Sequence, residues 1–315
     1  MIKIERAVIE INGGCNYSCA MCPQSSPGRS KNFLKKMSLK DFESNVIDAV
    51  NNGAYIINLE GSGEPTLQSN LAEYVKIVKK YGAKAYIFSN GMKMRDDYMK
   101  AIVDAGVDFF RFSVIGYDNK TYTKWMNSPF FNLVIKNIKE MQKYVEKTNS
   151  SCTVAVYHLL LDNNNIEYEK EQYLSLTADL PVEVELWKMH NWSGVYDPAE
   201  ARKGEIKTCG RPFSPDIVIR AGGLEGKTGA VHPCCQVLGR DDEAVLGHTS
   251  ENTIKEIWEG EAYTKLREDH TNGNYPSFCE GCDFLVSDPE VLVYSSHATS
   301  EYQMHGVDFS LDEYR

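Results

Sequence analysis

The sequence contains no apolar run approaching the roughly 18 residues of a membrane-spanning helix, and its N-terminus lacks the charged-then-apolar pattern of a secretion signal. Basic charge is also in deficit. Across 315 residues, 34 Lys and Arg stand against 44 Asp and Glu, a formal net charge of −10. A nucleic-acid backbone or an anionic membrane is therefore excluded as the main partner. A cytoplasmic protein is expected, and in that reducing compartment the nine cysteines read as metal or redox ligands, not disulfides. The apolar fraction of 42% is enough for one large domain plus a smaller one.

The most informative stretch is Gly13-Gly14-Cys15-Asn16-Tyr17-Ser18-Cys19-Ala20-Met21-Cys22-Pro23, with cysteines spaced C-x3-C-x2-C. Three thiolates on one short loop can hold three irons of a cubane cluster whose usual complement is four cysteines. The remaining iron then has an open position, which a reacting small molecule needs. A structural zinc knuckle is the alternative, but it normally requires a fourth Cys or His nearby. The first histidine after Cys22 is His158.

Strand-like and helix-like segments alternate along the chain. Short apolar runs at Ala7–Ile11, Tyr55–Leu59, Lys84–Phe88, Phe109–Val114, Thr153–Leu161 and Val182–Trp187 read as six strands. Between them, Leu39, Phe42, Val46, Ile47 and Val50 recur at helical spacing behind Ser38, a candidate N-cap. Further helices are expected over Leu71–Val78, Asp96–Ala105, Asn132–Val145 and Glu167–Ala178. Repeated βα units predict an α/β fold with a parallel sheet, and its closure into a barrel places chemistry on the loops at the C-terminal strand ends.

The C-x3-C-x2-C run resembles the signature of the radical S-adenosylmethionine (SAM) enzymes. An aromatic residue near the third cysteine is common in that family; here Met21 takes the position, with Tyr17 upstream. The resemblance implies a partial (β/α)6 barrel and a 4Fe–4S cluster on Cys15, Cys19 and Cys22, whose open iron binds SAM. It further implies reductive cleavage of SAM to a 5′-deoxyadenosyl radical that abstracts hydrogen from substrate, with flavodoxin or ferredoxin as the electron donor. Gly61-Ser62-Gly63-Glu64 after the second strand looks like the family's GGE motif, which meets the SAM amino group. Ser89 and Ser113, at the ends of the third and fourth strands, match small hydroxyl residues that contact SAM in the family. By alternation Arg111 shares a face with Phe109 and Ser113, where it can reach a carboxylate or point to solvent.

Beyond the barrel, Cys209, the Gly229-x4-Cys234 spacing and the Cys279-x2-Cys282 pair resemble the auxiliary-cluster region called SPASM, or its shortened form, twitch. The resemblance implies a second 4Fe–4S cluster on Cys209, Cys234, Cys279 and Cys282; structural zinc is the rival. The expected organisation is a barrel over 1–195, an auxiliary-cluster module over 196–285 and a tail over 286–315. Cys235, doubled with Cys234, is a candidate hydrogen donor or a packing residue, and Cys152 reads as core. His190, in Trp187-Lys188-Met189-His190-Asn191-Trp192-Ser193-Gly194, is a candidate acid or base, or a scaffold histidine. Tyr157, His158 and Glu185 are weaker candidates.

Among families with one auxiliary cluster, the arrangement most resembles the aminocyclitol and sugar dehydrogenases. This implies hydrogen abstraction from a small polar substrate, with the auxiliary cluster as electron acceptor. Radical epimerisation is the nearest variant. Maturation of a peptide or sulfatase is a second expectation, weakened because Cys15 leaves little room for a preceding recognition domain. A non-catalytic iron–sulfur or zinc scaffold is a third, opposed by the Glu60–Glu64 motif.

Overall fold

The computed structural model describes residues 3–25, 29–161, 165–196, 205–206, 208–286 and 292–296. Residues 287–291 and 297–315 of the expected tail, and the link at 197–204, lie outside the described residues. Among the described residues, no helix is long and apolar enough to cross a membrane.

Six parallel strands lie side by side in chain order: β1 (Arg6–Ile9), β2 (Ile56–Asn58), β3 (Lys84–Ser89), β4 (Phe109–Ser113), β5 (Thr153–Leu160) and β6 (Glu183–Lys188). Helices α1 (Leu39–Asn51), α2 (Leu71–Lys80), α3 (Asp96–Asp104), α4 (Asn119–Met126), α5 (Phe131–Thr148) and α6 (Ile166–Thr177) fill the crossovers. Ser38 caps α1, its hydroxyl accepting from the Asp41 amide at 3.1 Å. The sheet is buried on both faces, which is why its strands read as short, nearly continuous apolar runs. Ile56, Tyr86, Phe88, Phe109 and Ala155 form a compact core inside the curve of the sheet. The larger core lies between the sheet and its helices.

The C-terminal third extends this sheet at both edges. Strand β7 (Asp216–Ile219) pairs parallel with β1, and β8 (Ala230–His232) and β9 (Gly247–His248) follow antiparallel. At the opposite edge β10 (Leu292–Ser295) pairs antiparallel with β6. Helices α7 (Ile254–Trp258) and α8 (Glu261–Asn272) complete the described elements. Strand β7 runs parallel to β1 and β8 antiparallel to it, so Cys209, before β7, and Cys234, after β8, lie toward the Arg6 end of β1, while the Cys15–Cys22 loop follows its Ile9 end.

Candidate active site

The Cys15–Cys22 loop leaves β1 and is fixed by contacts that do not use its thiols. Asn12 Nδ2 donates to the carbonyls of Gly14, at 2.7 Å, and Glu64, at 2.8 Å. The Glu64 amide donates back to Gly14 at 2.8 Å. This close crossing explains Gly63: a Cβ there would lie 2.1 Å from the Asn12 carbonyl oxygen. The Ala20 amide donates to Trp125 at the end of α4, at 2.8 Å, and Trp192 Nε1 donates to Met21 at 2.9 Å. Burial pushes the Cys15 thiol up to about 11, and raises Cys19 and Cys22, the latter opposed by the nearby Arg29.

Glu64 is buried in a full donor shell. Its carboxylate accepts from the Thr66 amide and hydroxyl at 2.9 and 2.5 Å, Ser89 Oγ at 2.6 Å and the Asn90 amide at 2.8 Å. Ser89 therefore meets Glu64 directly. Ser62 is held by a second buried cluster. Its amide and hydroxyl donate to Glu10 at 2.5 and 2.7 Å, while Arg220 and Arg29 donate to its oxygen at 2.7 and 2.6 Å. Arg220 also bonds Glu10 at 3.1 Å and pairs with Asp241, so β1, the Gly61–Glu64 loop, β7 and the segment after β8 converge on one guanidinium.

A cavity of about 230 Å³ opens between these loops and the C-terminal region. Gly61, Ser62, Arg111, His190, Cys234 and Cys235 all line it, whereas Gly63, Glu64, Ser89 and Ser113 are outside its lining. Ser113 is half-buried at the end of β4. Arg111 lies between the Phe88 and Tyr157 rings, 3.9 and 4.2 Å from their centroids, and bonds the buried Glu185 at 3.0 Å. Of the two orientations open in the sequence, Arg111 thus takes the carboxylate. His190 is buried edge-on against Trp192 at 4.2 Å. His158 lies elsewhere, bonded to Glu169 at 3.0 Å and stacked on Tyr173.

Burial raises the Glu185 carboxyl to about 7, with Arg111 opposing the shift. A carboxyl raised in the folded state binds more protons than in the unfolded chain, so stability is lost as pH climbs through that window. Thermal midpoints of the wild type should fall between pH 5 and pH 7.5. The full shift corresponds to about 3 kcal/mol, and Glu185→Gln should flatten the profile. An unchanged slope in the variant would assign the pH dependence elsewhere.

The second cysteine set gathers at a smaller cavity lined by Cys209, Cys234, Cys279 and Cys282. The Cys279–Cys282 loop is clamped by the run after β6. Asn191 Nδ2 donates to Gly281 at 2.6 Å, its amide to Asp283 at 3.1 Å, and Ser193 Oγ to Phe278 at 2.5 Å. Trp192 and Ser193 take left-handed backbone angles, φ 48° and 55°, to make these contacts. With Trp192 bonded to Met21, this one turn touches both cysteine loops. Cys234 lines both cavities, and Cys235 is exposed on the wall of the larger one, 3.9 Å from Arg211 Nη1.

Residues 9–170 match the radical SAM superfamily. The chain belongs to that superfamily. Residues 226–283 match the SPASM iron–sulfur cluster-binding domain. A Pyrococcus furiosus tungsten-containing aldehyde ferredoxin oxidoreductase cofactor-modifying protein is 25% identical over 88% of each chain. Among solved structures, BtrN in complex with AdoMet and 2-DOIA superposes with a TM-score of 0.58 at 18% identity, over 90% of this chain and 94% of BtrN. Streptococcus suis SuiB bound to precursor peptide SuiA gives 0.64 at 12% identity, over 85% and 67%.

This radical SAM protein is an enzyme that employs 4Fe–4S clusters and SAM. Its donor sets fit such groups. None of the nine cysteines is in a disulfide, and within each set the thiols lie in electrostatic reach of one another. Burial raises Cys15, Cys19 and Cys22 in the first set and Cys234, Cys279 and Cys282 in the second, so each favours the neutral thiol unless a cation stands beside it. Arg6, Arg211 and Arg220 also line the larger cavity without a motif to mark them, and Glu60 and Lys188 line it from within the Glu60–Glu64 and Trp187–Gly194 runs. Period-2 alternation from Arg6 through Val8 to Glu10, and from Asn58 to Glu60, is the signal that carries the two carboxylates and Arg6.

Proposed function

We propose that the enzyme dehydrogenates a small polar substrate, of the sugar or aminocyclitol class, with an auxiliary cluster as electron acceptor. One observation carries this reading: a single cavity is bordered by the Gly61–Ser62 loop on one side and by Cys234 on the other, and Cys234 borders the second thiol cavity as well. In this reading Cys15, Cys19 and Cys22 hold the SAM-binding cluster, and Cys209, Cys234, Cys279 and Cys282 hold the auxiliary one. Gly61, Ser62, Gly63, Glu64, Ser89, Ser113 and Arg111 shape the SAM site. Glu64 acts chiefly by fixing Ser89 and the Asn90 amide. An external one-electron donor such as flavodoxin or ferredoxin completes the system.

The bound cofactors supply hydrogen-atom abstraction from a carbinol carbon. The chain must then take one proton and one electron. Glu60, which accepts from Asn58 Nδ2 at 2.9 Å on the cavity wall, is the carboxylate placed for the hydroxyl proton. Burial raises its pKa while Arg111 and Arg6 oppose the rise. The electron leaves by way of Cys234. His190 and Trp192 bound the cavity and orient substrate.

Turnover of a panel of sugars and aminocyclitols should give a product two hydrogens lighter, with one SAM consumed per product, and Cys235→Ala should retain most activity. The position of Cys235 on the cavity wall favours one second reading, epimerisation with Cys235 as hydrogen donor. Product of unchanged mass carrying solvent deuterium, abolished in Cys235→Ala, would establish that reading in place of dehydrogenation. Turnover of a peptide alone would move the chain to maturation chemistry.

A further inference from the structure

The formal charge of −10 is not spread evenly over the chain. Helices α4 and α5 together carry six lysines, at 120, 124, 136, 139, 143 and 147, against two glutamates, Glu140 and Glu146. All six lysines are exposed. Helical spacing gathers three of them on α5. Val134, Ile138, Met141 and Val145 turn into the core, which puts Lys136, Lys139 and Lys143 on the opposite side. There they border an open depression with Asn132, Ile135 and Glu140. Glu140 offsets Lys136 alone, at 3.5 Å. At the head of the same helix Phe130 is 41% exposed. An exposed aromatic ring with charged residues around it has the layout of a protein interface, an apolar centre and a polar rim.

The same two helices carry the first cysteine loop. Met126, in the last turn of α4, places Sδ 3.8 Å from Cys19 Sγ, and Asn127 Nδ2 donates to Ser18 Oγ at 2.9 Å. From α5, Asn137 Nδ2 donates to the Gly91 and Met92 carbonyls at 2.8 and 3.3 Å, and Met92 Sδ in turn accepts from Asn16 at 3.4 Å. Ser18 and Ala20, between the cysteines, are exposed. A body seated on the lysines and Phe130 therefore stands beside the loop of Cys15, Cys19 and Cys22.

We infer that the face made by the end of α4, Phe130 and the lysines of α5 docks an acidic one-electron carrier protein, which reduces the cluster held by Cys15, Cys19 and Cys22. The inference rests on the external donor of the proposed function. Charge selects the occupant: an acidic carrier is repelled by the chain as a whole and attracted at this face, which steers encounter and orientation together. In the transfer the carrier loses one electron and the cluster gains it, and no bond forms or breaks. The attraction is between exposed groups, so salt weakens it.

The test compares SAM cleavage by the reconstituted protein with two kinds of donor: reduced flavodoxin or ferredoxin, and dithionite, which needs no docking. Lys136→Glu, Lys139→Glu and Lys143→Glu together should raise the carrier concentration for half-maximal cleavage about tenfold. Dithionite-driven cleavage and iron content should stay at the wild-type level. Reversal at Lys40, Lys255 and Lys265, on α1, α7 and α8, makes the same change in net charge and should raise that concentration less than about twofold. Phe130→Ala should raise it about threefold and leave its salt dependence unchanged. Equal shifts in the two charge-reversed proteins, or none in the first, overturn the inference. Should the α5 triple variant lose iron, Lys139→Glu alone carries the test, with an expected rise of about threefold. Dimers of the wild type that the α5 variant abolishes, with carrier-driven cleavage unchanged, overturn the inference in favour of a second copy on this face. Cleavage with dithionite but with neither carrier also overturns it. A wild type that fails to cleave SAM even with dithionite overturns instead the SAM-cleaving role of the Cys15–Cys22 loop, and the inference with it.

Discussion

Replacing Cys15, Cys19 and Cys22 together with Ala should lower the iron of the reconstituted protein from about eight to about four atoms per chain, and abolish reductive cleavage of SAM. The loop should keep its path, because its anchors are independent of sulfur. Asn12 holds Gly14 and Glu64, Trp125 accepts from Ala20, and Trp192 donates to Met21. The remaining iron should show the EPR spectrum of a single 4Fe–4S cluster. Replacing Cys279 and Cys282 should give the mirror result: the same fall in iron, with SAM cleavage retained and product formation lost. Loss of all iron in the first variant would mean that the two sets do not fold independently around their metals. Zinc in the second set of the wild type would remove the electron acceptor that dehydrogenation requires.

The six central strands were legible because each is a short buried run between turn residues, and parallel pairing follows from the helices between them. The sheet's extensions were not. β8 has three residues and β9 two, too short to show alternation, and only pairing, β8 with β7 and β9 with β8, makes them strands. Helix α4 escaped for a related reason: only Tyr122 and Met126 are buried, which is too little for a 3.6-residue pattern. At the site, spacing picked out both cysteine sets, and the fold gathers the thiols of each. Partnerships within the site stayed hidden. Glu64 and Ser89 each read as a ligand contact, and the fold bonds them to each other. In the Trp187–Gly194 run, His190 read as an acid, a base or a scaffold histidine. Trp187, His190 and Trp192 do border the cavity, while Asn191 and Ser193 are clamps on the Cys279–Cys282 loop. Contacts across 90 residues leave no local mark in a single sequence.

Arg220→Met should destabilise the protein by about 3–5 kcal/mol. The guanidinium is 4% exposed and bonds Glu10, Asp241 and Ser62 together. Its removal leaves Glu10 and Asp241, both almost fully buried, without their main cation. The cost lies in stranding those charges more than in the pair's own attraction. For a chain of this size the thermal midpoint should fall by roughly 10 °C. Arg220→Lys should lie between, because an ammonium keeps the charge but not the fork that spans three partners. Adding Glu10→Gln and Asp241→Asn to Arg220→Met should recover part of the midpoint by removing the stranded charges. SAM affinity should fall in Arg220→Met and stay low in the triple variant, since Ser62 would keep only Arg29 of its two guanidinium donors and the loop would lose its tie to β7. A midpoint within 2 °C of wild type, with SAM affinity unchanged, would show that β1–β7 pairing alone holds the Gly61–Glu64 loop in place.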